Sequence, residues 1–445
     1  MNIKKLFKNE QEVKAILIKG WITANRGNPK IRFLNINDGS SVTSLQVVIK
    51  PEVVGFEEID KWRIGSAISI FGDFIKTSGG LQNFEFQAQT ISLLSLTDED
   101  FPIQKQEINL ETLREIPHAR HRTNLFRSIM LIRSTLSKEI HNFFDDKDFL
   151  YMHSPIITSN DGEGAGEAFV VDDESKDEFF SKKATLSVTG QLHAESYAIG
   201  FQKVYTFGPT FRAENSNTKK HAAEFWMLEP EVAFYELNDI IKLSDEMLKT
   251  VITNTIAKHP EEFAFLNDKN DNELLKSLNL FLDNPLKTLD YKDAIEILKN
   301  AKIDFENSKI EFGMDLSTEH EKYLAEIYSK GPVAIINYPK DFKAFYMHLN
   351  TDNKTVSAFD LLVPGIGELI GGSQREVRLD VLKSRMKSLN IDEDDLQWYL
   401  DLRRFGDSGS AGFGLGFERL VMYVTGVENI RDVIPYPRTP GNLKM

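Results

Sequence analysis

Up to about residue 95 the chain alternates apolar and polar positions in short runs. AILIKGWITA (15–24), KIRFLNINDG (30–39), SLQVVI (44–49), SAISIFGDFI (66–75) and NFEFQAQTISLL (83–94) are separated by Gly, Asn and Ser turns. A period of two puts successive side chains on opposite faces of a strand. Five short strands at this spacing predict a small closed β-barrel of the OB-fold type over 1–97. A polar stretch with two prolines follows, read as a linker over 98–122. The period then changes: Leu125, Ile129, Ile132, Leu136, Ile140 and Phe143 recur at helical spacing. That stripe predicts a helix whose apolar face meets either the core or a second copy of the chain. Beyond it, short strands alternate with helices to the end, with a mostly helical, charged stretch over about 235–330. The fold class this predicts is α+β, with a large second domain over 123–445.

Composition narrows the class. The 445 residues are 41% hydrophobic and 27% charged, ordinary for a globular protein. No run approaches the roughly 20 apolar residues of a membrane span, and the N-terminus lacks the apolar core of a secretory signal, so the cytoplasm is the expected compartment. There is no cysteine, which excludes disulfides, a thiol nucleophile and thiolate zinc sites; no zinc is expected. A net charge of −14 argues against coating nucleic acid by bulk electrostatics, but leaves room for an enzyme with a local basic face.

Three stretches carry candidate chemistry. In FRAENSNTKKHAAEFWMLEPE (211–231), Arg212 and Glu214 are two apart, as are Glu229 and Glu231, so a hairpin would present all four as a charged floor. The intervening loop carries Lys219, Lys220 and His221. In SGSAGFGLGFER (408–419), glycines at 412, 414 and 416 lead into Arg419; this is not the GxGxxG spacing of a Rossmann phosphate loop. In SAFDLLVPGIGELIGGSQRE (357–376), Asp360 and Glu368 are oxygen ligands of the kind Mg²⁺ prefers, and Arg375 follows a glycine pair. Each alone also fits an ordinary strand or turn.

Together the three resemble the signature motifs of the class II aminoacyl-tRNA synthetases. Motif 1 resembles the helix ending in DFLYMHSPIIT, with Pro155 at the family's proline. Motif 2 resembles 211–231 and motif 3 resembles 412–419. The barrel segment resembles the anticodon-binding OB-fold of subclass IIb, so the resemblance covers nearly the whole chain. Within that subclass VTGQLHAE, TFGPTFRAENSN, EFWMLEPEVAF, GELIGGSQRE and VIPYPRTP are similar to the bacterial asparaginyl group. Aspartyl members carry a lysine where Ala194 stands here.

The resemblance implies an enzyme that activates L-asparagine with ATP, releases pyrophosphate and transfers asparagine to the 3′-hydroxyl of tRNA(Asn). It implies a class II catalytic domain built on an antiparallel sheet flanked by helices, and a homodimer. It implies roles residue by residue. Glu163 and Gln191 would hold the amino acid, and Arg212 the carboxylate and α-phosphate. Glu214 would face the adenine amino group, Phe225 and Arg419 would flank the ring, and His221 would meet the pyrophosphate end. Asp360 and Glu368 would bind Mg²⁺. In the barrel, Phe33 would stack on an anticodon base, with Gln46 and Glu85 reading base edges.

The amide itself asks for one donor and one acceptor. Arg375 can donate; Glu229 or Glu231 can accept and would repel an aspartate carboxylate. Two other readings stand beside this one: an aspartyl enzyme, discriminating or not, and a synthetase-like enzyme making asparagine, whose members lack the barrel.

Overall fold

The alternating runs form β1 (Val13–Asn28), β2 (Ile31–Asn37), β3 (Leu45–Ile49), β4 (Ala67–Lys76) and β5 (Phe84–Ser95), which close into a barrel in the order β1-β2-β3-β5-β4. The computed structural model describes residues 2–77, 82–159, 168–172, 179–180, 182–216 and 218–445. The chain divides into two units, 1–133 with 259–269, and 134–258 with 270–445.

In the first unit the inward row of each strand makes the core: Leu34, Ile36, Leu45, Val47, Ile68, Ile70, Phe74 and Phe86 are buried together. Burial of such side chains stabilises by about 1.5–3 kcal/mol each. After the barrel the chain is more ordered than a plain linker. Helices Leu110–Glu115 and Pro117–Arg120 pack Leu113 and Ala119 with Ile103 and Phe126 in a small separate cluster. The Asn109 side chain caps the first of these helices, and Pro117 starts the second, where its missing N–H costs nothing. Helix Pro260–Lys269 joins this unit from far along the chain. Its Glu262 accepts from Val42 N–H at 3.3 Å, and Glu261 accepts from the Thr43 hydroxyl at 2.6 Å.

The second unit is built on β6 (Leu150–Tyr151), β7 (Ile157–Thr158), β8 (Val170–Asp172), β9 (Ala184–Leu186), β10 (Lys203–Phe211), β11 (Glu224–Ala233), β12 (Lys287–Asp290), β13 (Val333–Pro339), β14 (Thr355–Val363), β15 (Gly367–Gln374) and β16 (Ser410–Gly416). Eight of them form one sheet in the order β12-β13-β14-β15-β16-β11-β10-β6, and β7-β9-β8 form a small second sheet. The strands from β13 to β10 pair antiparallel, as expected. The two outermost pairings, β12 with β13 and β6 with β10, are parallel, so the sheet is mixed. A parallel pair needs a crossover connection; helices Tyr291–Lys299 and Gln191–Phe201 lie in those connections. Helix Leu237–Lys258 lays its buried row, including Ile240, Ser244, Met247 and Val251, against β14, β15 and β16.

The helix predicted from the apolar stripe spans Asn124–Asp145. Ile129, Ile132, Leu136, Ile140 and Phe143 are buried within the chain itself. The stripe therefore needs no second copy to cover it. Just after the helix, Leu150, Tyr151, Ile156 and Ile157 are exposed apolar side chains.

Candidate active site

Period-two alternation on β11 puts Phe225, Met227, Glu229 and Glu231 on one face. The register sets Thr206 of β10 opposite Glu229, and Gly412 and Gly416 of β16 opposite Glu231 and Met227. Beyond β16, Gly371 and Ser373 of β15 pair with Gly414 and Gly412, and Asp360 of β14 pairs with Gly371. The face therefore has acids and an arginine at its ends and glycines across its middle. Gly412 is required by space: a Cβ there would lie 2.6 Å from Arg375 Nη2 and closer still to Glu231.

At one end Arg375 follows β15 and is almost fully buried. Its Nε and Nη2 donate to Glu231 Oε1 and Oε2 at 3.1 and 2.8 Å, and Nη1 donates to Ser373 Oγ at 2.6 Å. Ser410 Oγ donates to Glu231 Oε1 at 2.7 Å. Burial alone would lower the Arg375 pKa, but Glu231, then Glu195, outweigh it and raise it, so the guanidinium stays charged. Glu231 is committed to Arg375 and Ser410. Glu229 is held differently: the Thr189 hydroxyl, the Gly190 N–H at 2.8 Å and the Thr206 hydroxyl at 3.2 Å all donate to it. Burial pushes its carboxyl up, and these donors pull the other way. Three donors leave room on a carboxylate's roughly four acceptor positions for one more.

Gln191 opens helix Gln191–Phe201, and its amide donates to Glu195 Oε1 at 3.2 Å. Glu195, Tyr399 and Arg403 were not singled out from the sequence. The first lies one turn beyond Gln191; the others lie some two hundred residues away, and only the fold brings them together. Glu163 lies outside the described residues.

At the other end β10 stops at Phe211. Arg212 and Glu214 therefore lie in the loop rather than on the expected strand. The ladder closes with Arg212 N–H on Ala223 O at 3.0 Å. Side chains then compete for the loop's polar groups: His221 Nδ1 meets the hydroxyls of Thr218 and Ser216. The Arg212 guanidinium lies 5.4 Å from the centre of the Phe225 ring. Arg419, in the first turn of helix Phe417–Thr425, donates from Nη1 to Glu368 Oε2 at 3.3 Å. Asp360 pairs with Lys343 at 2.9 Å. Asp360 and Glu368 converge over Gly371, where a Cβ would sit 3.4 and 3.3 Å from their oxygens. Burial, then the neighbouring charge of Glu368, pushes Glu321 up to about 8; its carboxylate accepts from Glu368 N–H at 3.0 Å. Among the described residues no group of three or more His, Cys, Asp or Glu side chains is arranged to hold a metal ion.

On the barrel, alternation turns Leu34 and Ile36 inward, leaving Phe33 and Asn35 half-buried on the outer face. Gln46 pairs with Asn35 and accepts from Arg26 at 3.0 Å; Glu85, on β5, is also half-buried. Phe33 is thus not a barrel-core residue.

The family described as tRNA synthetases class II (D, K and N) matches residues 109–440, and the OB-fold nucleic acid binding domain matches 16–94. The chain is 64% identical to the asparagine–tRNA ligase of Mycoplasma mobile, over 100% of this chain and 98% of that one. It is 59% identical to that of Metamycoplasma arthritidis, over 99% and 97%. Its fold is similar to the asparaginyl-tRNA synthetase from Pyrococcus horikoshii complexed with asparaginyl-adenylate, with a TM-score of 0.89 and 30% identity over 100% and 99% of the two chains.

Proposed function

The chain belongs to the class II tRNA synthetases of the D, K and N group, and on that premise we propose that it is an asparagine–tRNA ligase. The observation that carries this reading is the pair of buried side chains at one end of the glycine-lined face. Arg375 keeps N–H groups beyond those bonded to Glu231 and Ser373, and Glu229 keeps an acceptor position beyond its three donors. One donor and one acceptor suit an amide. Full-length similarity to asparagine–tRNA ligases supports the same substrate.

The asparagine α-carboxylate attacks the α-phosphorus of ATP; a carboxyl–phosphorus bond forms and pyrophosphate leaves. The 3′-hydroxyl of tRNA(Asn) then attacks the acyl carbon, forming the ester and releasing AMP. No side-chain nucleophile is needed: the protein positions the reactants and stabilises charge. Arg212 clamps carboxylate and α-phosphate, and Glu214 faces the adenine amino group. Phe225 stacks on the ring with Arg419 on its other side, and His221 meets the pyrophosphate. Gln191 lies at the amino-acid pocket, and holding the α-amino group is the role the family resemblance gives Glu163.

Mg²⁺ usually binds through one or two carboxylates plus substrate phosphates. Asp360 and Glu368, converging over Gly371, fit that donor set. When bound, the ion would neutralise phosphate charge. Lys343 is paired with Asp360 and Arg419 with Glu368, so each carboxylate already has one cation beside it.

In the barrel, taken as 1–97, Phe33 stacks on an anticodon base while Gln46 and Glu85 read edges, the usual way single-stranded RNA is specified. Residues 98–122 connect it to a catalytic domain over 123–445. We take the enzyme to act in the cytoplasm as a homodimer, through the exposed face at Leu150, Tyr151, Ile156 and Ile157. Among the described residues no helix is long and apolar enough to cross a membrane.

ATP–pyrophosphate exchange tests the first step. Asparagine should support exchange roughly 10⁴-fold better than aspartate, the discrimination a hydrogen-bonding pocket gives without editing. Equal exchange with aspartate would remove the amide reading.

A further inference from the structure

Arg375 stands against more than one carboxylate. Beyond its doubly bonded partner Glu231, Glu195 Oε1 lies 3.7 Å from Arg375 Nε. Glu195 Oε2 in turn accepts from Arg403 Nη2 at 2.9 Å and the Tyr399 hydroxyl at 2.6 Å. Arg403 Nη1 lies 3.2 Å from Asp407 Oδ2. Two guanidiniums thus meet three carboxylates, with side-chain exposures of 1 to 6%. Burial holds Tyr399 well above the ordinary tyrosine range, with Arg403 acting against it, so it remains a neutral donor.

We propose that Glu195 is a specificity-determining residue: as a second carboxylate beside Arg375 it cancels the attraction the guanidinium would exert on an aspartate side chain, while leaving its N–H groups free to donate to an amide oxygen. This deepens the reading of Arg375 given above and rests on it. An amide is neutral and needs only hydrogen bonds. A carboxylate entering a buried site must recover its lost hydration from net positive charge. Two guanidiniums against three carboxylates give these surroundings a formal negative charge before any ligand enters. Side chains this deeply buried are poorly screened by solvent, so each added charge acts strongly. The same carboxylate also accepts from the Gln191 amide, so it orients a second side chain of the pocket.

The test is ATP–pyrophosphate exchange with asparagine and with aspartate on the full chain, read as the ratio of their kcat/KM values. Glu195→Gln keeps the shape and removes the charge. It should raise the aspartate-to-asparagine ratio by about tenfold or more, a factor equivalent to one 1.4 kcal/mol step. Asp407→Asn, one ion pair further out, should raise it less, by freeing Arg403 to compensate Glu195. Tyr399→Phe disturbs the same hydrogen bonds without changing charge and should leave the ratio unmoved. If Glu195→Gln lowers both substrates equally, or if Tyr399→Phe shifts the ratio as much, Glu195 is only structural and the proposal falls. Should Glu195→Gln not fold, an unchanged ratio in folded Asp407→Asn overturns it. A normal asparagine rate in Arg375→Ala is a different failure: it removes the reading of Arg375 itself.

Discussion

Arg375 and Glu231 meet in a two-bond ion pair, 3.1 Å from Nε to Oε1 and 2.8 Å from Nη2 to Oε2, with both side chains at most 2% exposed. That geometry separates the two glutamates the sequence left as alternatives. Glu231 supports the arginine; Glu229 is bonded by hydroxyls and a backbone N–H, and we propose that it is the one that meets the ligand amide.

Arg375→Ala should depress activity with asparagine and with aspartate alike, because each side-chain oxygen needs that donor. It should also destabilise the fold by about 3–5 kcal/mol, the usual cost of leaving a buried carboxylate unpaired. Thermal unfolding and pyrophosphate exchange on the same preparation check both.

Glu229→Gln keeps an acceptor carbonyl and removes the charge. Asparagine should still bind, more weakly, while repulsion of aspartate is relieved. The aspartate-to-asparagine ratio of kcat/KM should rise ten- to a hundredfold if the relieved repulsion is ~1.4–2.8 kcal/mol. Ala194→Lys, added to it, should raise the ratio further. Glu231→Gln should instead cost stability; a ratio shift there and none at Glu229 would reverse their roles.

Arg212→Ala should cost on the order of 3 kcal/mol in adenylate formation, comparable to removing one preorganised charge-stabilising donor. Its effect on thermal stability should be small, since Arg212 lies at the loop start and is partly exposed. Retained turnover with a large drop in Tm would mark it as structural.

Phe33→Ala should leave pyrophosphate exchange unchanged and weaken tRNA charging by about 1–3 kcal/mol, the worth of one stacked base. This variant is a cleaner test than deleting the barrel, because helix Pro260–Lys269 bonds to barrel residues Val42 and Thr43. Normal charging by Phe33→Ala would remove the stacking role.

Sedimentation at micromolar concentration should give twice the 50.8 kDa chain mass. Ile156→Asp should shift it toward one chain, by placing a charge in the proposed apolar contact. A wild-type mass of one chain would contradict the homodimer.

Local patterns revealed the barrel strands and the amphipathic helices, because period two and period 3.6 depend only on neighbours. The sheet faces carrying Glu229 and Glu231 were legible for the same reason. What was hidden depends on long-range pairing. Glu195 meets Tyr399 and Arg403 across two hundred residues, and nothing in QLHAE reveals it as a buried ion-pair member. Helix Pro260–Lys269 belongs to the first unit through hydrogen bonds from Val42 and Thr43, again without a local signal. Arg212 and Glu214 were expected on a strand, but the polar residues that follow end the ladder at Phe211.

The activity is tested most directly by aminoacylation of a tRNA(Asn) transcript by the purified chain with ATP, Mg²⁺ and labelled amino acid. Asparaginyl-tRNA should form with asparagine, and no appreciable product with aspartate. Aspartyl-tRNA formed at a comparable rate would contradict the proposed function.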